Sequence, residues 1–149
     1  MAGGLNFLAW HRPTGYRSLW QCEEVAGQVA PMIDELTRWI EGYVQAWNSN
    51  DPNDIGSLFT MDAEYSTAPF RPPWRGRDAI VGWWLENRDE PGETTFTWQP
   101  EVVTDEVAIV SGTTTYPDQT FSNLWIIRLT PDGECREFTE WWMEHSGEG

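Results

Sequence analysis

The sequence predicts a cone-shaped α+β domain, a barrel-like sheet with a pocket inside, and three observations carry that expectation. An amphipathic helix is followed directly by a short helix opened by proline, a strand comes next, and most of the remainder alternates between short turns. Helices first and an antiparallel meander after them is the α+β order.

The first element rests on Met32, Ile33, Leu36, Trp39, Ile40, Tyr43, Val44 and Trp47, whose three- and four-residue steps put them on one helical face. Asp34, Glu35, Arg38, Glu41 and Gln45 fall on the other. Asp51-Pro52-Asn53-Asp54 then supplies an N-cap, a first-turn proline and an acid near the positive helix end, so a second helix starts there. Ile55, Leu58 and Phe59 give it a buried edge, and the period changes to that of a strand near Met61, over Asp62 to Ala68. Pro69 to Arg75 contains three prolines and reads as a loop. Asp78 opens a third helix through about Asn87, with Ile80, Trp83, Trp84 and Asn87 on one side. After a turn at Glu90 to Glu93, strands are expected near 94–103, 106–116, 119–130 and 134–144.

The run Gly42 to Asn48, then Ile55, Leu58-Phe59, Asp62-Ala63 and Gly76-Arg77-Asp78-Ala79-Ile80, resembles the SnoaL-like branch of the NTF2-like superfamily. The closing Asp132 to Cys135 with Glu137, Phe138, Glu140, Trp141 and Trp142 looks like that branch's last hairpin. The resemblance spans Met32 to His145 and implies an NTF2-like cone: a strongly bent, antiparallel or mixed sheet wrapped around a long N-terminal helix, with two further short helices and a cavity between. The superfamily includes isomerases, cyclases, epoxide hydrolases, dehydratases and non-catalytic binders, so the fold constrains function weakly.

Composition fits one domain, since 149 residues with 40% hydrophobic content can bury a core without metal or disulfide. The formal charge of −15 argues against nucleic acid and anionic membrane as partners. No lysine occurs, which excludes a Schiff-base mechanism. Cys22 and Cys135 are too few for a disulfide framework and read as idle thiols. Neither metal-ligand spacing nor a nucleophile elbow is present, and no cofactor is expected. No apolar run approaches the ~20 residues of a membrane span, and Leu5 to Trp10 is too short for a signal peptide's core, so a cytoplasmic location is expected. Residues 1–31 are neutral and punctuated by Gly3-Gly4, Pro13, Gly15 and Gly27, and only Cys22 to Ala30 could form a short helix. They are read as a poorly ordered extension ahead of a natural start at Met32, with the domain at 32–145 and a tail at 146–149.

The eleven tryptophans have two readings. Most of them, including Trp39, Trp47, Trp83 and Trp98, could fill the core between helix and sheet. Alternatively an aromatic inner wall could bind a small hydrophobic molecule, with Trp47, Tyr65, Trp84, Trp98, Tyr116, Asn123, Trp125 and Trp142 as its lining.

For acid–base chemistry the family comparison removes one mechanism. Tyr43 aligns with the tyrosine that polarises the substrate carbonyl in ketosteroid isomerases, but the base position falls at or next to Thr67 and that of the protonated acid near Asn123 to Trp125, so neither carboxylate is present. Limonene-type epoxide hydrolysis would need an aspartate, arginine, aspartate set, of which the fourth strand offers only Arg128. Glu140 remains as candidate acid or base, with Tyr43 as oxyanion donor, because Glu140 shares strand parity with Phe138 and Trp142. The competing reading is a solvent-facing or arginine-paired glutamate. Parity leaves both open, since Trp141 and Met143 on the opposite phase are equally apolar; one side would be cavity and the other a homodimer interface. Function is therefore read as small-molecule binding, with a cofactor-independent lyase, isomerase or cyclase reaction on a hydrophobic or polyketide-like substrate. The alternative is a non-catalytic binding or dimerisation module.

Overall fold

A computed structural model describes residues 19–146 apart from 91 and 93, with side chains from residue 30 onward. Three helices, α1 (Leu19–Ser49), α2 (Pro52–Ser57) and α3 (Arg77–Glu86), accompany six strands. These are β1 (Phe59–Ser66), β2 (Trp74–Arg75), β3 (Thr95–Val103), β4 (Ala108–Thr115), β5 (Thr120–Leu129) and β6 (Cys135–Glu144). Their order in one curved sheet is β2-β1-β6-β5-β4-β3. Because β2 and β3 are free edges, the sheet stays open instead of closing into the expected barrel. The β3–β6 meander is antiparallel, whereas β6 meets β1 in parallel, so the sheet is mixed.

The apolar stripe of α1 turns Leu36, Trp39, Ile40, Tyr43 and Ala46 into the core. They meet Phe59 and Tyr65 of β1, Trp125 and Ile127 of β5 and Phe138 of β6, all buried. α1 opens at Leu19, well before the expected Met32, and carries Pro31 inside it. Proline there has no N–H for the carbonyl four residues back, but a long helix can go on past one lost bond. The short helix expected over Cys22 to Ala30 is thus part of α1, and residues 1–18 lie outside the described residues.

Asp51 caps α2 by accepting from the Asn53 N–H at 2.7 Å. The chain then extends at Phe59, slightly before the expected switch at Met61, because the Cys135 N–H reaches the Leu58 carbonyl (2.7 Å) and begins the parallel pairing. Between Phe59 and Glu64 the β1–β6 register slips. The Arg77 guanidinium spans this irregularity, donating from Nε and Nη2 to the Phe59 carbonyl (3.0 and 2.6 Å) and from Nη2 to Glu134 (2.8 Å). The expected loop from Pro69 to Arg75 ends in β2, since Trp74 and Arg75 pair with Tyr65 and Glu64 once the prolines are passed.

Gly112 has a packing reason. A Cβ there would lie 2.6 Å from the Phe96 ring, which stacks on Trp125 at 4.6 Å between centroids.

Candidate functional site

Three elements aim polar side chains into one aromatic cavity of about 270 Å³ between α1, α3 and the concave sheet face. Tyr43 projects from the buried stripe of α1, Tyr65 from β1 and Glu140 from β6, and all three line the cavity. Strand pairing brings the last two together: Tyr65 is in register with Phe138, two residues before Glu140, and Trp125 stands across from Glu140 on β5. Glu140 is half-buried, and Trp141 and Met143 of the opposite phase face outward, 37% and 60% exposed.

The Tyr65 hydroxyl donates a short hydrogen bond to Glu140 Oε2. Tyr43 Oη lies 3.0 Å from Tyr65 Oη and 3.5 Å from Glu140 Oε2. Tyr65 has only one proton, which goes to Glu140, so Tyr43 donates to Tyr65 and the three groups form a relay ending at one carboxylate oxygen. Burial pushes the Glu140 carboxyl above its ordinary range, and nearby donors, Tyr65, then Trp125 and Tyr43, offset part of that rise. The Trp125 N–H lies close enough to contribute but falls outside hydrogen-bond geometry and has no partner. Both phenols are pushed well above the usual tyrosine range, first by burial and then by the Glu140 charge, so they keep their protons and act as hydrogen-bond donors.

Toward the opening, Asp89 in the loop after α3 accepts at Oδ2 from Trp47 Nε1 (2.7 Å) and from the Tyr116 hydroxyl (2.8 Å). The Asn50 amide holds the Asp89 carbonyl at 3.2 Å. Asn123 accepts from Thr114 at 2.7 Å through its Oδ1, and its amide hydrogens make no side-chain bond among the described residues.

Of the side chains expected to line a pocket, Trp47, Tyr65, Trp84, Tyr116, Asn123 and Trp142 do so. Trp125 and Trp98 do not: Trp125 is fully buried behind Tyr43 (4.8 Å between centroids), and Trp98 packs against the core on β3 in register with Gly112. Trp83, expected as core filler, lines the cavity along with Asn87, Arg88 and Asp89, which sequence reasoning missed. The loop after α3 has no periodicity that would have revealed them. Thr67 is absent from the lining, and Arg128 pairs instead with Glu137 at 3.0 Å. Cys135 is buried and free, its thiol pushed up to about 12 by burial. Among the described residues no group of three or more His, Cys, Asp or Glu is placed to hold a metal ion, and no helix is long and apolar enough to cross a membrane.

Comparison with known proteins bears on the fold. A family model described as a SnoaL-like domain matches residues 40–144. No curated protein matches the chain. Among solved structures, an NTF-2 like protein of unknown function from Burkholderia xenovorans is similar at a TM-score of 0.63 and 11% identity, covering 79% of this chain and 90% of its own. A candidate ketosteroid isomerase from Kribbella flavida gives 0.59 at 17% identity, covering 78% and 83%. An LEH-like epoxide hydrolase from M. tuberculosis gives 0.51 at 13%, covering 74% and 84%. At such identities the likeness is one of fold.

Proposed function

The chain belongs to the SnoaL-like domain family, and from that premise we propose that its cavity takes a small hydrophobic, polyketide-like molecule on which Glu140 moves a proton without a cofactor. The observation that carries this reading is the Tyr43–Tyr65–Glu140 relay opening on an unplugged aromatic cavity. Both phenols approach Oε2, so Oε1 is the oxygen left for a ligand. Burial raises the carboxyl's hold on a proton above that of a solvated glutamate, the direction general acid–base work requires. Oε1 takes a proton from an acidic C–H of the bound molecule and returns it at another carbon or to a departing hydroxyl, which is isomerase, cyclase or lyase chemistry. The phenols hold the carboxylate before it takes the proton and after it returns it, and in between Glu140 is the neutral acid. Asn123 offers amide hydrogens to a carbonyl oxygen as charge develops there. The cavity lies just below the usual range of ~300–1,000 Å³ for ligand sites, so the ligand is compact.

Native mass spectrometry of freshly purified protein tests the binding half by looking for a retained small molecule. With that molecule in hand, Glu140→Gln should abolish turnover and leave binding intact; unchanged turnover would remove Glu140 from the mechanism.

A non-catalytic binding or dimerisation role is the second reading, favoured by Trp141 and Met143 exposed on the outer sheet face. Homodimerisation through that face is part of the proposal, and Trp141→Glu should make a dimer monomeric in analytical ultracentrifugation. A cytoplasmic location belongs to the same reading and is tested by cell fractionation.

A further inference from the structure

The cavity has a second polar centre that proton transfer at Glu140 does not use. Asp89 is half-buried, and Trp47 and Tyr116 both give their hydrogens to the same oxygen, Oδ2, at 2.7 and 2.8 Å. The carboxylate is therefore fixed in orientation from two sides, by α1 and by the residue following β4. Its other oxygen accepts no hydrogen bond among the described residues and is not among the buried unpartnered atoms, so it is accessible on a residue that lines the cavity. No arginine forms an ion pair with Asp89 among the described residues.

The surroundings favour one sign of ligand charge. Trp47, Tyr116, Phe121 and Trp142 line the same cavity, and aromatic faces attract cations through their quadrupoles. Three ionisable side chains line it: Asp89 and Glu140 are half-buried acids, whereas Arg88 is exposed. The net charge of −15 adds a long-range field that draws cations and repels anions.

We infer that the ligand carries a protonated amine at one end of its apolar body, and that Asp89 is the residue that selects it. The ammonium group donates to the free Asp89 oxygen against the surrounding aromatic faces, which places the rest of the molecule toward Glu140. The assignment rests on the cavity being a ligand site, as in the reading above, and names the class of molecule that enters it.

Calorimetric titration with naphthylmethylamine, naphthylmethanol and naphthoate separates the possibilities, because the three share a ring and differ in charge. The amine should bind roughly tenfold or more tighter than the alcohol, as for a charge-assisted hydrogen bond replacing a neutral one, and the carboxylate more weakly than either. Asp89→Asn keeps an oxygen for Trp47 and Tyr116, so it should bring the amine to the alcohol's affinity and leave the alcohol unchanged. Equal binding of amine and alcohol to the wild type would overturn the inference and leave the ligand site standing, and needs no variant to fold. Tightest binding by the carboxylate would overturn it in favour of Arg88. An amine preference that survives Asp89→Asn but vanishes in Glu140→Gln would move the counter-ion to Glu140. Binding of none of the three would remove both the inference and the ligand site beneath it.

Discussion

Replacing Glu140 by glutamine should change how stability depends on pH, and the carboxyl's surroundings fix the sign. Burial raises its hold on a proton by more than Tyr65, Trp125 and Tyr43 lower it. The folded protein keeps that proton to a higher pH than the unfolded chain, where glutamate titrates near ~4.3. Between the two pKa values the folded state binds more protons, so this contribution to stability is full below the unfolded pKa and is lost as pH rises through the folded one. The loss amounts to about 1.4 kcal/mol for each unit separating them. Glutamine retains an oxygen for Tyr65 and cannot ionise, so the variant lacks the slope, and the tyrosines that feel the Glu140 charge stay protonated across the range assayed. Urea midpoints taken from acid to mildly alkaline pH should show the variant gaining on the wild type as pH rises, with m-values equal. Were the wild type to gain instead, the phenol hydrogen bonds would outweigh burial. Glu140 would then be a permanent anion unsuited to give up a proton.

Tyr65→Phe removes the short bond to Glu140 and should cost about 1–3 kcal/mol in chemical denaturation, whereas Tyr43→Phe, with its longer reach of 3.5 Å to the carboxylate, should couple less to Glu140 in a double-mutant cycle. Gly112→Ala should destabilise by about 1–3 kcal/mol because the new methyl meets the Phe96 ring, and by less in a Phe96→Leu background. Arg77→Lys should recover only part of the thermal midpoint lost in Arg77→Ala, since an ammonium can reach both the Phe59 carbonyl and Glu134 as Nη2 does but lacks the Nε donor that fixes the fork on that carbonyl. In a Cys22→Ser background the remaining thiol, pushed up to about 12, should resist a disulfide reagent at mildly alkaline pH until denaturant is added.

Much of the fold is legible in the chain because periodicity reports it directly. The three-and-four spacing from Leu36 to Trp47 puts Tyr43 in the core, and alternation between proline- or glycine-bearing turns places β3 to β6 within one or two residues of the expected limits. Pairing is harder to read, and the site depends on pairing. Glu140 could have faced either way, since Phe138 and Trp142 on one phase are no more apolar than Trp141 and Met143 on the other. Its direction is set by Tyr65 and Trp125 on the neighbouring strands. Trp98 has the parity of an inner-wall residue but sits on the edge strand, away from the cavity lining. Asp89 left no trace in the pattern: its partners, Trp47 and Tyr116, are distant in sequence and meet it only once α1, α3 and β4 are assembled.

The position of β6 affects how the protein can be made. Among the described residues it is the last strand, yet it lies between β1 and β5 and alone links the first hairpin to the meander. A nascent chain halted before residue 135 would carry α1, α2, α3 and two separate strand groups with no ladder joining them, and neither Phe138 nor Glu140. Closing the sheet therefore joins segments far apart in sequence, a slow kind of contact to form. During synthesis the strand edges of β1 and β5 remain open to other chains until the C-terminal strand has left the ribosome, which makes that interval the one most exposed to misassembly.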